Sequence, residues 1–479
     1  MNFLYLCQAV SICYANGDLN DNSATKPEFW ANLGLMLLEE KSVMMDLVHR
    51  EFENEVAQSG DLVHTYRPNK FRIKRKSDTD EVEEQDAILD AIQVPLDQHI
   101  YTSFIIKDKE WSLNNKDLVR LHLAPAINAV SRGVDRVISG QVHRFLGAPA
   151  DRVGLLNGLT PANTRSSVIA AQEKLDLNNV PEDERRLILS PRSRSQFLNT
   201  DLIVKANEAG VDFNAALRRA FLGDLFGFET FKSNNIPQVT DDATDKAEGT
   251  VTAALLAGEV TSLEAVTITG YEVNVGEWAV VAGNDQPQFI TAATTGGGNT
   301  TAVTLNEAQK FASDSGAVLK VYKKADAKGA FAVGFDNDII VDGHSTSLPP
   351  QVGQMLATGI GATRRTYTII EAEVVTTTET KILLDRPLEV ALADNEDVFP
   401  GPAGVLNLAF HREALALITR PLAMPPNNLG ALFAVAQNGS IGIRVSMQTD
   451  TKKQGTRVNV DVLAGLALLD ADMACPVLG

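Results

Sequence analysis

The sequence predicts an α+β chain of several domains, in which a β-rich segment interrupts an α/β layer. Three observations predict it. Residues 114–147 read as one long helix, with Val119, Leu123, Ile127, Val130, Val134, Val137 and Phe145 recurring at three- and four-residue steps. Residues 161–237 alternate helical and strand patterns, as layered α/β domains do. At Thr240 the texture changes to short runs rich in Thr, Val, Gly and Ala, which continue to Pro402 before the earlier style returns.

Composition bounds the rest. A chain of 479 residues implies about two to four domains with ample core. With 44% hydrophobic and 22% charged residues it reads as globular rather than disordered. The net charge of −18 gives no overall attraction to nucleic acid, so such a chain encloses or tolerates DNA rather than gripping it. Cys7, Cys13 and Cys475 are too few and too unevenly placed for a disulfide framework or a metal knuckle, which predicts a reducing compartment. No apolar run reaches the roughly 18 residues of a membrane span. Residues 3–15 are apolar, but no Lys or Arg precedes them and no small-x-small cleavage site follows. A terminal arm is predicted there rather than a secretion signal.

Taken in order, Thr25-Lys26-Pro27-Glu28 has the spacing of a capping box, with Pro in the first turn. A helix over 28–58 is expected to follow, with Trp30, Leu33, Leu37, Met44, Leu47, Val48 and Phe52 on its apolar side and His49 on its surface. Residues 62–113 are the most unusual by charge. Lys70-Phe71-Arg72-Ile73-Lys74-Arg75-Lys76 alternates basic and apolar residues like a strand with one basic face. Asp78, Asp80, Glu81, Glu83, Glu84, Asp86 and Asp90 follow, and residues 98–112 are again strand-like. The prediction is a long two-stranded β arm with charges segregated by sign. An isolated hairpin is marginal in water, so this one is expected to lie on a partner. The candidate contacts are Arg72, Lys74, Arg75 and Lys76 on the basic side, and Asp80, Glu81, Glu83 and Glu84 on the acidic side.

In the long helix, Asn114 is placed to cap the first turn and Gly147 to end the last. The full stretch would run about 50 Å. Pro125 removes a backbone donor, while Gly133 and Gly140 lie seven apart on one face, where another backbone can approach closely. Beyond it, the sequence predicts helices over 161–177 and 191–199, a buried strand over 186–190, and then a helix, a turn and a strand over 226–232. That strand closes at Asn234-Asn235-Ile236-Pro237.

The β-rich segment reads as strands over 265–273, 277–281, 288–292, 301–305, 317–322, 367–370 and 380–384. It contains a repeat at roughly 77 to 80 residues. Val275-Gly276-Glu277, Ala282-Gly283, Phe289-Ile290-Thr291 and Val303-Thr304-Leu305 correspond to Val352-Gly353-Gln354, Thr358-Gly359, Tyr367-Thr368-Ile369 and Ile382-Leu383-Leu384. A barrel or sandwich with two related strand units is expected. Asp336, Asp338 and Asp342 near His344 lack calcium-loop spacing, because Ile340 stands where an oxygen ligand belongs; a turn is the better reading. Gly296-Gly297-Gly298 reads as a loop tip, with no lysine or helix start to make it a phosphate cradle. After the insertion, a strand is expected over 405–410, a strand or short helix over 411–422, and a hairpin over 441–449 and 456–463. No nucleotide loop, nucleophile elbow, zinc-protease helix or paired-cysteine motif occurs. No catalytic, cofactor-binding or metal residue is therefore assigned, and no cofactor is expected.

Three stretches carry a family resemblance. Leu222-Gly223-Asp224-Leu225-Phe226-Gly227-Phe228-Glu229 through Ser233-Asn234-Asn235-Ile236-Pro237 is similar to a Gly-x-x-x-Gly-aromatic strand with a Ser-Asn…Pro close. Asn407-Leu408-Ala409-Phe410-His411-Arg412-Glu413-Ala414 is similar to the strand that resumes after an insertion. Arg444-Val445 through Val460-Asp461-Val462-Leu463-Ala464-Gly465 resembles a C-terminal hairpin. In that order they resemble the major capsid protein of tailed bacteriophages, of the short-tailed-phage type with an inserted β domain.

The resemblance implies a tailed-phage major capsid fold: an N-terminal arm over 1–60 and an extended β loop over 61–113, reaching a neighbouring subunit. It implies a peripheral domain with a spine helix over 114–160 and 433–479, an axial α/β domain over 161–239 and 404–432, and the β-rich insertion over 240–403. Pro125, Gly133 and Gly140 become bending candidates of the spine. The implied role is self-assembly as pentamers and hexamers into an icosahedral shell around double-stranded DNA, assembled in the host cytoplasm and located in the virion capsid. No catalysis and no membrane are implied. The implied partners are further copies of the chain, a scaffolding protein, a portal, a cement or decoration protein, and packaged DNA by non-specific proximity. An encapsulin-like compartment shell is the alternative, and a β-rich adhesin or enzyme the more distant one.

Overall fold

The computed structural model describes residues 30–34, 43–50, 62–67, 73–76, 78, 84–85, 90–109, 122–156, 161–199, 224–236, 238–240, 246–258, 262–263, 266–344, 349–420, 422, 431–438 and 441–479. The chain is α+β and divides into two compact units. The first takes its described residues from Met1–Lys41, His99–Val130 and Thr419–Leu463; the second from Ser42–Gln98, Ser131–Ile418 and Ala464–Gly479.

The helix expected over 28–58 is not continuous. Residues 30–34 are helical, Met44–Asp46 form a single 3-10 turn, and His49 is extended, bridging Ala416. Met44, Met45, Leu47 and Val48 are all buried and only Asp46 among residues 44–48 is exposed, so the segment packs more apolar surface than one face of a surface helix carries. The hairpin also differs from expectation. Strand β1 (Leu62–Arg67) pairs antiparallel with β2 (Asp90–Pro95), from Leu62 opposite Pro95 to Arg67 opposite Asp90. Residues 73–76 carry no regular structure. The expected second strand of the arm exists as β3 (Gln98–Lys107), but its partner is a late strand of the first unit, not β1.

The long helix is described as α1 (Ala124–Gly140), preceded by a π-type turn at His122 and Leu123 and tightened into a 3-10 turn over Gln141–Phe145. Asn114, its expected cap, lies outside the described residues. Ile127, Val130, Val134, Val137 and Ile138 are buried, as the three–four spacing predicts. Gly147 ends the run at φ +38°, where an added Cβ would lie 2.7 Å from Asp151 Oδ2.

In the second unit the α/β layer follows: β4 (Val153–Gly154), α2 (Pro161–Leu177), β5 (Arg185–Leu189), α3 (Pro191–Leu198), β6 (Asp224–Leu225) and β7 (Phe228–Lys232). Ser190 caps α3, its hydroxyl accepting from Ser193 N at 3.1 Å, and Pro191 sits where its missing donor is harmless. Phe226 (φ 50°) and Gly227 (φ 78°) form the left-handed corner between β6 and β7.

The insertion holds two lobes built on one plan. In the first, β8 (Lys246–Val251), β9 (Ser262–Leu263), β10 (Val266–Thr267), β11 (Trp278–Val281), β12 (Gln288–Gly296), β13 (Asn299–Leu305) and β14 (Val318–Tyr322) take the order β10-β8-β14-β11-β12-β13-β9. The second lobe contains β15 (Ala325–Ala327), β16 (Ile339–Asp342), β17 (Met355–Thr358), β18 (Arg365–Val374), β19 (Thr380–Leu384) and β20 (Asp397–Pro400). These close a barrel in the order β15-β16-β19-β18-β17-β20. The two circuits match strand for strand, with β16 doing the work of β9 and β10 together.

The match extends to single hydrogen bonds. Gly276 N donates to Ile290 O (2.8 Å) and Ile290 N to Glu277 O (2.9 Å); Gly353 N donates to Ile369 O (2.7 Å) and Ile369 N to Gln354 O (3.0 Å). The bulge after Ile290 in β12 recurs after Ile369 in β18. Side-chain oxygens of Asn306 and Asp385 each accept a backbone N–H, from Phe289 and Thr368, at 2.8 Å. The sequence repeat is therefore a repeat of structure, with one correction of register: Ile290 matches Ile369 rather than Thr368, so Phe289 matches Thr368 and Gln288 matches Tyr367.

The chain then completes the older layers with β21 (Leu406–His411), β22 (Leu415–Arg420), β23 (Ala431–Asn438), β24 (Ile441–Asp450), β25 (Gly455–Leu468) and β26 (Ala474–Leu478). The α/β sheet has the order β4-β26-β21-β5-β7-β6, so the whole insertion leaves after β7 and returns at β21. Its core joins Val168, Leu175, Leu187, Phe197 and Phe228 to Ala409, Cys475 and Val477. In the first unit β24 pairs with β23 and with β25, and β3 pairs β25. The expected hairpin over 441–463 is present, with Asp450 opposite Gly455.

Candidate functional site: the charged arm and the helix-end junctions

The arm is the site the sequence singled out. In the second unit, the base of its hairpin is held where Val94 packs with Ile418 and Ala467. Gly465 has only 2.5 Å between its missing Cβ and Pro95 O, so no side chain fits there. Beyond the base, Ile73 is 99% exposed, and Lys74, Arg75 and Lys76 are exposed beside it. Glu84 is exposed as well. Arg72, Asp80, Glu81 and Glu83 lie outside the described residues. The structure thus places Ile73, Lys74, Arg75 and Lys76 at an exposed position.

The bending candidates occupy different settings. Pro125 is the second residue of α1, and the irregularity expected at it lies just before it, as the π-type turn at His122 and Leu123. Gly133 is mid-helix and half-buried. Gly140 is the position of close approach: an added Cβ would lie 3.0 Å from Asp385 Cβ and 3.4 Å from Thr368 Cβ of the second lobe.

Around Gly140 lies a polar junction that the sequence reading missed. His143 is buried at the end of the helix. Its Nε2 is 3.0 Å from Arg386 Nη1, which can only donate, so Nε2 accepts and the proton sits on Nδ1. Nδ1 then donates to Gly140 O at 2.6 Å, with Thr368 Oγ1 at 3.0 Å. Gln141 Nε2 donates to Asp385 Oδ2 at 2.9 Å, and Arg386 also reaches Thr366 O, Glu389 and the face of Tyr367. Burial pushes the His143 imidazole below its usual pKa, against the pull of Asp385 and with the push of Arg386.

The first lobe makes the corresponding contact further along the chain. Its corner residue Glu307 stands where Arg386 stands in the second lobe, and it pairs with buried Arg152 just before β4. Lys310 donates to Arg152 O beside it. Two equivalent corners of opposite charge therefore hold the two ends of residues 143–152. Between them an apolar cluster of Leu146, Leu156, Trp278, Tyr322, Met355, Phe399 and Leu478 joins both lobes to the α/β layer. Arg364 lies over the rings of Phe289 (4.1 Å), Trp278 (4.9 Å) and Phe399 (5.7 Å) and donates to Gly276 O at 2.6 Å, bridging the lobes. Burial pushes its pKa down to about 10, with no carboxylate among the described residues paired with it.

A second missed residue is Asp135. It sits in the buried stripe of α1, one position from Val134 and three from Ile138. Its carboxylate accepts from Val43 N and Met44 N, both at 3.2 Å, and from Asn235 Nδ2 at 2.9 Å. It thus caps the 3-10 turn that broke the expected helix, and ties it to the Ser233-Asn234-Asn235 close of β7. Burial pushes its pKa up to about 6, over the opposing hydrogen bonds. Among the described residues, no group of three or more His, Cys, Asp or Glu could hold a metal ion, and Asp336 and Asp338 lie in the loop before β16. No described helix is long and apolar enough to cross a membrane.

No protein-family profile and no curated protein matches the chain. Among solved structures, it is similar to one of Mycobacterium phage Che8, with 11% identity and a TM-score of 0.42 over 91% of this chain and 90% of that one. It is similar to the capsid structure of the cyanophage P-SCSP1u, with 10% identity and a TM-score of 0.44 over 91% and 87%. It is also similar to the asymmetric unit of the bacteriophage PhiM1 mature capsid, with 10% identity and a TM-score of 0.38 over 87% and 82%. At these scores the likeness by itself assigns no function.

Proposed function

We propose that the chain is a shell subunit, the major capsid protein of a tailed phage, which assembles as pentamers and hexamers into an icosahedral container for double-stranded DNA. The observation that carries the reading is the order of the three family-like stretches along the chain. They fall at the β6–β7 corner, on β21 where the chain returns from the insertion, and on the β24–β25 hairpin. Two physical features support it. An exposed basic stretch on an anchored hairpin suits contact with another subunit, and a net charge of −18 keeps a shell wall from adhering to packed DNA.

On this reading residues 1–60 are the N-terminal arm and 61–113 the extended loop. Residues 114–160 with 433–479 form the peripheral domain, and 161–239 with 404–432 the axial domain. Residues 240–403 brace the spine from the side. Scaffolding protein, portal and a cement protein are the expected partners, and no catalysis is part of the role.

Sedimentation of the purified chain, alone and with its scaffold, tests the reading. Large particles of uniform size are expected. Reversing charge at Arg72, Lys74 and Arg75 is expected to impair their formation, more at low salt than at high, while the monomer stays folded. Normal assembly of the triple variant at both salt concentrations removes the arm's role.

A further inference from the structure

We propose that the tip of the β18–β19 hairpin is an intersubunit docking point, and that its occupant is the Ile73–Lys76 stretch of a second copy of this chain. The inference rests on the shell reading above and adds to it a particular pair of surfaces.

The two-lobe repeat supplies an internal control. In register, Thr294, Thr295 and Gly296 of β12 correspond to Glu373, Val374 and Val375 at the end of β18 and just beyond it. Both tips are exposed throughout. The first lobe shows that the fold needs neither an apolar nor a charged residue at these positions. Yet the second lobe carries Val374 and Val375 there, 56% and 48% exposed, beside the exposed carboxylate of Glu373. Glu373 and Val375, two apart on the hairpin arm, share a face, so an exposed apolar side chain stands beside an exposed carboxylate where the first lobe has Thr294 and Gly296.

Chemistry selects the occupant. A complementary segment needs an apolar side chain next to cations. The arm offers Ile73 followed by Arg75 and Lys76, all exposed. Within one chain Ile73 and the valine pair are exposed together, so they do not cover each other. In a shell of identical subunits the contact is made between copies. Apolar burial would hold the contact and opposite charge would steer it.

Cysteines placed at both surfaces of the full chain test this: Ile73→Cys with Val375→Cys, oxidised before and after assembly. The expected result is a covalent ladder extending beyond dimers in particles of the double variant, and none in either single variant. Closed particles without that ladder overturn the docking point while leaving the shell reading intact. Absence of any assembly, with or without scaffold, overturns the shell reading and this proposal with it.

A charge swap gives an independent arm. Glu373→Lys is expected to slow assembly roughly 10-fold at low salt. Adding Arg75→Glu and Lys76→Glu is expected to restore the rate. An unchanged rate, or no rescue in a variant whose monomer unfolds at the normal temperature, counts against the pairing.

Discussion

The two lobes of the insertion share a hydrogen-bond skeleton and differ in what they place on it. At matched positions the first carries Gln288, Asn306 and Glu307, the second Tyr367, Asp385 and Arg386. Gln288 Nε2 donates to Glu307 O at 3.1 Å, whereas the Tyr367 hydroxyl accepts from Glu389 N at 2.9 Å. Both side chains fasten the loop after the hairpin, one by donating and one by accepting. The repeated plan is set by backbone pairing and small apolar residues; the corners are free to diverge, and they diverged into a cation holding His143 at one end of residues 143–152 and a carboxylate holding Arg152 at the other.

That contrast can be broken from the inside out. Tyr367→Ala removes a fully buried ring at the centre of the second lobe and is expected to cost about 4 kcal/mol. Gln288→Ala, its counterpart, is expected to cost about 2 kcal/mol through lost hydrogen bonds. Urea unfolding of the full chain measures both, and equal costs would dissolve the distinction.

The corners come next. Arg386→Met leaves Asp385 buried beside a partnerless His143 Nε2 and is expected to cost about 3 kcal/mol, with Glu307→Gln near the same because Arg152 loses its carboxylate. A negligible loss at either corner means that corner does not brace its end of residues 143–152.

The pH response sharpens the comparison between helix end and helix middle. Asp135 has its pKa raised to about 6, so the folded state binds more protons than the unfolded one between roughly pH 4 and 6. Its contribution is greatest below the unfolded pKa and is lost as pH rises through about 6, an effect of about 3 kcal/mol. His143 acts in the opposite sense. Its lowered pKa means acid protonates the unfolded chain first, so its contribution is present above pH 6.5 and fades as pH falls toward the folded value. Thermal midpoints measured across this range are expected to lose their acid-side fall in His143→Gln and their acid-side gain in Asp135→Asn.

The smallest effect is expected at Gly140→Ala, about 1–2 kcal/mol, because the new methyl meets Asp385 and Thr368 side chains that have to shift. A stabilised variant would show that the approach of the second lobe to α1 is loose.

What the sequence made legible follows from length and period. The buried face of α1 spans several turns, so its spacing is unambiguous. The repeat was visible because Gly276 and Gly353, at φ +101° and +84°, punctuate the same turn in both lobes. Strands β15, β16, β17 and β20 are three or four residues long and carry no readable period. Residues 43–49 looked helical because their apolar residues suit a helix, but a carboxylate ninety residues away caps a tighter turn instead. The strand β3 was legible but its expected pairing was not, because a strand's composition does not name its partner. Of the candidate contacts, the exposed cations were legible as charge. His143, Arg386 and Asp135 were not, because each gains its meaning from a group distant in sequence; a carboxylate within an apolar helix stripe was the one local signal, at Asp135.

The shell reading meets its most direct test in electron microscopy of the purified chain with and without its scaffold. Closed particles of uniform size, with subunits clustered in fives and sixes and the arm of each subunit lying on a neighbour, are the predicted result. A chain that remains a folded monomer under every condition, scaffold included, contradicts it.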